Sequence, residues 1–319
     1  MILLSLISLV AGVALVLVGA DKLTEGAAAL ARRFHVTEMV IGLTVVAFGT
    51  SLPEFMTSFV SLLHGSSDLS ISNIVGSNIF NVLMIVGCSA LCCPIAVGRE
   101  TLYKDMPFAL LASLMLIAVC LDSLFDGPSF QNLLSRSDGL VLLGFMAVFM
   151  AYTFSAARDD SAGAEAAVPA MGYGKIALYV VLGLAGLIVG GNLFVNGASD
   201  IALKLGVSET IVGLTLVAAG TSLPELATSV VAARKGRSAM AVGNVIGSNI
   251  FNIFFVMGVC STISPIPVGN ISYVDLLVML LSLVMMWWFA CTKRTIERWE
   301  GATMLICFAA YMGYLIYTI

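Results

Sequence analysis

Charge is what this sequence has least of. Asp, Glu, Lys and Arg make up 11% of its 319 residues, against roughly 25% in soluble domains. Since 60% of the chain is hydrophobic, a water-soluble fold of this length is excluded. Histidine is nearly absent, with only His35 and His64, so an imidazole-rich metal centre is not built from this chain. No nucleophile–base set and no phosphate-binding glycine loop appears, which argues against an enzyme. The seven cysteines lack the paired spacing of a zinc site, and all seven are expected to be small buried hydrophobes. The net charge of −4 comes from acids and bases mixed in the same loops, leaving no basic patch for nucleic acid.

What is present in abundance is apolar runs near the ~20 residues that cross a bilayer. They predict ten spanning helices, at 3–20, 37–62, 70–93, 105–122, 138–156, 175–198, 208–232, 240–262, 271–291 and 301–318. The first run has no preceding Lys or Arg and no small-residue cleavage site, so it reads as a retained helix. Thirteen of the fifteen Lys and Arg fall in one alternating set of loops, and only Arg136 and Lys204 fall in the other. Because positive residues collect on the cytoplasmic side, both termini are expected on the outer side.

The chain also repeats itself. Residues 41–54, IGLTVVAFGTSLPE, match 212–225, VGLTLVAAGTSLPE, at an offset of 171. The same offset carries GSNIFN at 76–81 onto 247–252 without a gap. Five helices per copy is an odd number, so the second copy enters the membrane from the opposite side. The expected organisation is therefore two inverted five-helix repeats, 1–156 and 175–319, joined by a short polar cytoplasmic linker at 157–174. That linker is too short to be a regulatory domain.

Glu54 and Glu225 stand in otherwise apolar spans, where a charge costs several kcal/mol on insertion scales. A protonated or salt-bridged structural pair is one reading, although the core helices contain no Lys or Arg to pair with them. Pro53 and Pro224 cannot donate a backbone hydrogen bond, so carbonyls near Gly49 and Gly220 lose their usual partners and become available to a cation. A simple proline kink is the alternative. Ser77 with Asn81, and Ser248 with Asn252, recur at i, i+4 and so share one helical face, which is expected to point at the two glutamates. The glycines of this second motif, and Asn78 with Asn249, also suit close helix packing and interhelical hydrogen bonding. All candidate ligands are oxygens, as hard cations prefer, and Ca²⁺ takes six to eight of them.

With these motifs, GTSLPE and GSNIFN each present twice, the chain resembles the Na⁺/Ca²⁺ exchanger family of the cation/Ca²⁺ exchanger superfamily, in particular its short prokaryotic members without a regulatory domain. The resemblance implies an all-α fold with a sliding two-helix gate formed by the first helix of each half. It implies Glu54 and Glu225 as central ligands shared by Ca²⁺ and Na⁺. Thr50, Thr221, Ala47 and Ala218 would contribute main-chain oxygens. Ser51, Ser77, Ser222 and Ser248 would complete flanking Na⁺ positions, and Asn81 and Asn252 would border the centre. Several family members carry Asp where this chain has Asn252, which leaves H⁺ participation and K⁺ dependence open and counts against the latter. No cofactor is expected beyond the transported ions, Ca²⁺ and Na⁺. The expected surroundings are a lipid bilayer, by resemblance a bacterial inner membrane, with a monomer as the simplest assembly. Proton-coupled divalent exchange and a cation channel are the competing readings.

Overall fold

The computed structural model describes residues 2–64, 67–125, 127, 131–159, 171–205, 218–269 and 271–318. Nearly all of them are helical. In chain order the main helices are α1 (Ile2–Phe34), α2 (Glu38–Thr50), α3 (Leu52–Leu63), α4 (Leu69–Cys92), α5 (Thr101–Cys120), α6 (Arg136–Asp159), α7 (Tyr173–Lys204), α8 (Ala218–Thr221), α9 (Leu223–Arg234), α10 (Ser238–Ile263), α11 (Tyr273–Lys293) and α12 (Arg298–Thr318). Among the described residues eight are long and apolar enough to cross a membrane, and α2 with α3, bent by 42°, makes a ninth. The span expected at 208–232 lies partly outside the described residues, which cover only its α8 and α9 portion.

Two boundaries differ from expectation. The first helix runs to Phe34, not Leu-rich residues alone to position 20, so Lys22, Arg32 and Arg33 sit on a helix and not in a loop. The stretch after Ala20 is rich in alanine, the best helix former, and its charges are paired: Lys22 Nζ lies 3.4 Å from both Asp21 and Glu25. The expected linker is also shortened from both ends, because α6 extends to Asp159 and α7 begins at Tyr173; residues 160–170 lie outside the described set.

Helices α1 and α7 pack antiparallel along their whole length. Glycines recur every seven residues on each, at 12, 19 and 26 and at 183, 190 and 197, again at the offset of 171. They let the two backbones touch: a Cβ added to Gly19 would lie 2.8 Å from Gly183 O, and one on Gly190 would lie 2.8 Å from Val16 N. The rest of the molecule centres on α4 and α10, whose side chains form the most buried core, among them Ile74, Ile79, Ile85, Ile246, Ile253 and Phe254. Between helices, four two-residue strands among the described residues pair crosswise. Ile95–Ala96 joins Thr295–Ile296, and Leu133–Leu134 joins Ile266–Pro267, both antiparallel.

The expectation that every cysteine is buried fails. Cys120 and Cys260 are, but Cys92, Cys291 and Cys307 are exposed on the protein surface. A lipid-facing position is as apolar as a protein interior, so a hydrophobic stretch does not distinguish the two.

Candidate cation site

The first motif folds as a broken helix. Helix α2 opens on Thr37, whose hydroxyl accepts from Val40 N, and widens into a π-helical turn at Gly42–Val46 before ending at Thr50. Ser51 interrupts it at φ −82°, ψ 4°, outside helical geometry, and α3 restarts with Pro53 in its first turn, where a missing N–H costs nothing. Glu54 follows in that same turn, at the positive end of the helix dipole, which favours a carboxylate. The second motif does the same: α9 starts after Ser222 at φ −91°, ψ 7°, with Pro224 and Glu225 in its first turn. Two half-helices therefore present their acidic first turns at a break in the membrane-spanning structure.

Both carboxylates are withdrawn from the surface, Glu54 at 1% exposure and Glu225 at 0%. Each is held by the other motif. Ser222 Oγ donates to Glu54 Oε1 at 2.8 Å, and Ser51 Oγ donates to Glu225 Oε1 at 3.0 Å. Ser222 Oγ also reaches Ser77 Oγ at 3.3 Å. Neither glutamate forms an ion pair among the described residues, whose salt bridges all involve other acids. Their second oxygens, Glu54 Oε2 and Glu225 Oε2, have no hydrogen-bond partner there, and neither do Asn81 Oδ1, Asn252 Oδ1 and Ser248 Oγ. A buried oxygen left unpaired costs about 1–3 kcal/mol, more when charged, so a donor or a cation received by the two carboxylates would relieve that cost.

Asn81 and Asn252 lie in matching π-helical turns, Phe80–Val86 and Phe251–Met257, a distortion that recurs at functional positions. Thr50 Oγ1 bonds back to Val46 O at 3.1 Å and across to Asn244 Oδ1 at 3.1 Å. Ala47 O already accepts from Ser51 N at 3.0 Å and from Thr50 Oγ1 at 3.4 Å. Thr221 lines a cavity of about 780 Å³ that also meets Pro53, Gly220 and Pro224 and runs along α7 past Asn192, Asn196 and Ser199. Ala218 begins α8. Of the motif glycines, Gly247 fits the packing role, since a Cβ there would lie 2.6 Å from Leu43 O, while one at Gly76 would meet nothing within 4 Å among the described residues. On the flank, Phe48 and Phe55 pack against Phe255 with ring centroids 5.8 and 5.6 Å apart.

Sequence reasoning passed over one layer of support. Asn73 Nδ2 donates to Glu54 O at 3.3 Å and to Ser58 Oγ at 3.1 Å, while Asn244 Nδ2 donates to Glu225 O at 3.4 Å and to Ser229 Oγ at 2.9 Å. The same offset of 171 relates 73 to 244 and 58 to 229, and extending the repeat comparison past the two motifs would have found them.

No group of three or more His, Cys, Asp or Glu that could hold a metal occurs among the described residues. The site's donors are two carboxylates, amide and hydroxyl oxygens, the ligand set of a hard alkali or alkaline-earth ion.

Comparison with known proteins agrees with this chemistry. Residues 4–155 and 175–317 match the sodium/calcium exchanger protein family. The chain is 38% identical to the inner membrane protein YrbG of Escherichia coli, over 93% of this chain and 92% of that one. It is 32% identical to the sodium/calcium exchanger MaX1 of Methanosarcina acetivorans, over 99% and 100%. Among solved structures it superposes on the sodium-calcium exchanger NCX_Mj soaked with Na⁺ and Sr²⁺ with a TM-score of 0.83 and 34% identity, covering 98% of this chain and 99% of that one. MaX1 and NCX_Mj are named as exchangers, the similarity extends over almost the whole sequence, and the chain belongs to the sodium/calcium exchanger protein family, a family of membrane transporters and not of enzymes.

Proposed function

We propose that this protein exchanges Na⁺ for Ca²⁺ across a membrane by alternating access, with Glu54 and Glu225 as the central ligands. The observation that carries the reading is the reciprocal pair of serine–glutamate bonds, which joins the two motifs and leaves the second oxygen of each buried carboxylate without a hydrogen-bond partner among the described residues. Two carboxylates neutralise one Ca²⁺. Left empty, they are two buried like charges, each carrying a desolvation penalty of several kcal/mol. Na⁺ must therefore replace Ca²⁺ before the carrier turns, and that requirement couples the two fluxes. Thr50, Thr221, Ala47 and Ala218 supply main-chain oxygens in this scheme, and Ser51, Ser77, Ser222 and Ser248 complete the Na⁺ positions.

The architecture that goes with this reading is ten spanning helices in two inverted repeats, joined in the cytoplasm by the stretch between α6 and α7, with both termini outside a bacterial inner membrane. The cavity follows α7 from Leu187 to Leu203. At the other end of the paired helices Lys235 closes on Asp21 at 2.5 Å and on Glu25 at 3.6 Å, and Arg237 Nη1 donates to Thr24 O. From the antiparallel pairing of Gly19 with Gly183, Asp21 and Leu203 are separated by about 30 Å along the helix axes at 1.5 Å per residue.

In sealed vesicles containing the purified protein, radioactive Ca²⁺ uptake is expected to follow an outward Na⁺ gradient and to persist when a protonophore collapses the pH gradient. Uptake that follows the proton gradient, or that requires K⁺, would replace Na⁺-driven exchange with the corresponding alternative; uptake without any counter-ion would identify a channel.

A further inference from the structure

An asparagine offers an oxygen to a cation only if its amide is held the right way round. The two ends of a carboxamide have nearly the same shape, but one accepts and the other donates two N–H bonds. A flipped Asn252 would expose its NH₂ group where the proposed site needs an acceptor. The neighbours of Asn252 remove that ambiguity. Asn78 Nδ2 donates to the main-chain oxygen of Asn249 at 3.5 Å, and a backbone carbonyl can only accept. Asn78 is thereby fixed with its Oδ1 at the opposite end. That Oδ1 accepts from Asn252 Nδ2 at 3.0 Å, which leaves Asn252 Oδ1 as the free end. In the other repeat Asn249 Oδ1 accepts from Asn81 Nδ2 at 3.0 Å, and Asn81 Oδ1 is left free. All four side chains are buried, so bulk water does not stand in for a missing partner.

We infer that Asn78 and Asn249 are positioning residues that lock the amides of Asn252 and Asn81 with oxygen as the free end, making two neutral side chains act as acceptors only. The inference rests on the proposed cation site and deepens it. The lock matters because residues 81 and 252 are amides: an aspartate presents an oxygen whichever way its carboxylate turns and needs no such partner. Each lock is donated by the opposite repeat, so the two halves set one another's ligand polarity.

The test is a double-mutant cycle in full-length protein reconstituted in vesicles, reading the Ca²⁺ concentration for half-maximal Na⁺-driven uptake. Asn78→Ala is expected to raise it by up to about tenfold when residue 252 is Asn, the upper end of what a buried hydrogen bond between neutral groups contributes. In the Asn252→Asp background the same Asn78→Ala change is expected to alter it by about twofold or less, because the two sites are then uncoupled. Asn249→Ala against Asn81→Asp forms the mirrored cycle and covers a variant that fails to fold. The melting temperature without Ca²⁺ is expected to fall less in the Asn252→Asp background, whose carboxylate has no N–H to give to Asn78 Oδ1, so the Ca²⁺ concentration and not the melting temperature reads ligand orientation. Equal fold-changes in the two backgrounds, or none in either, would overturn the lock. A wild-type protein that takes up no Ca²⁺ and gains no thermal stability from it would overturn the cation site itself, a result distinct from additivity in the cycle.

Discussion

Replacing either Glu54 or Glu225 by Gln abolishes Ca²⁺ uptake while leaving a folded, monodisperse protein. Glutamine keeps the shape of the side chain and an oxygen that can still accept from Ser222 or Ser51, whose bonds to the glutamates are 2.8 and 3.0 Å. What is lost is charge. Unit charges 4 Å apart attract by about 4 kcal/mol at an effective dielectric of 20, and the divalent ion sits closer and carries twice the charge. Each 1.4 kcal/mol is tenfold in affinity, so even after the desolvation saved, Ca²⁺ binding weakens by about a thousandfold. Stability moves the other way. A buried charge without a partner destabilises the folded state, so the Ca²⁺-free Gln variants melt at or above the wild-type temperature. Ca²⁺, which stabilises a specific binder by about 2.7 kcal/mol at a hundred times its dissociation constant, no longer raises it. Thermal melts with and without Ca²⁺, alongside vesicle uptake, check both halves. Retained uptake in either variant would remove that glutamate from the site.

The second large effect is expected from the helix pair and not from the site. Val at Gly183 would put its Cβ 2.6 Å from Leu23 N and 2.8 Å from Leu23 Cβ. The nearest atom is backbone, so no rotamer change relieves the clash and α1 and α7 must separate. Overpacking of this kind costs about 1–3 kcal/mol, occasionally more, and separation also loses the neighbouring contact of Gly190 with Gly12 O. Gly183→Val is expected to lower the melting temperature by several degrees and to eliminate exchange, because the cavity wall formed by α7 moves with the helix. Gly186, whose added Cβ would lie 3.3 Å from its nearest neighbours, provides the control: Gly186→Ala is expected to be tolerated. Similar behaviour of the two variants would mean that the seven-residue glycine spacing carries no packing constraint.

The buried glutamate pair and the helix breaks before it were legible in the sequence for physical reasons. Glu54 and Glu225 stand out because a charge in an apolar span is expensive, and a second occurrence at a fixed offset is not accidental. The break at Ser51 and Ser222 follows from Pro53 and Pro224. Asn73 and Asn244, which anchor the glutamate main chains through hydrogen bonds, were passed over because a lone amide is ordinary composition in a helix, and only the 171-residue offset that relates them marks them. The extent of α1 was hidden because hydropathy reports the part that meets lipid, while the helix continues through the paired charges of Asp21, Lys22 and Glu25 to Phe34. The faces of Cys92, Cys291 and Cys307 were hidden because lipid and protein core select the same residues. The π-helical turns holding Asn81 and Asn252 depend on what packs against them, and no local propensity announces them.

The measurement that bears most directly on the central claim is anomalous diffraction from crystals of the protein grown in Ca²⁺. The account predicts a peak between the carboxylates of Glu54 and Glu225, with Asn81 Oδ1 and Asn252 Oδ1 in its ligand shell at the ~2.3–2.6 Å of Ca²⁺–oxygen bonds. A Ca²⁺ peak elsewhere in the protein, with both carboxylates unliganded at a concentration that saturates uptake, would contradict it.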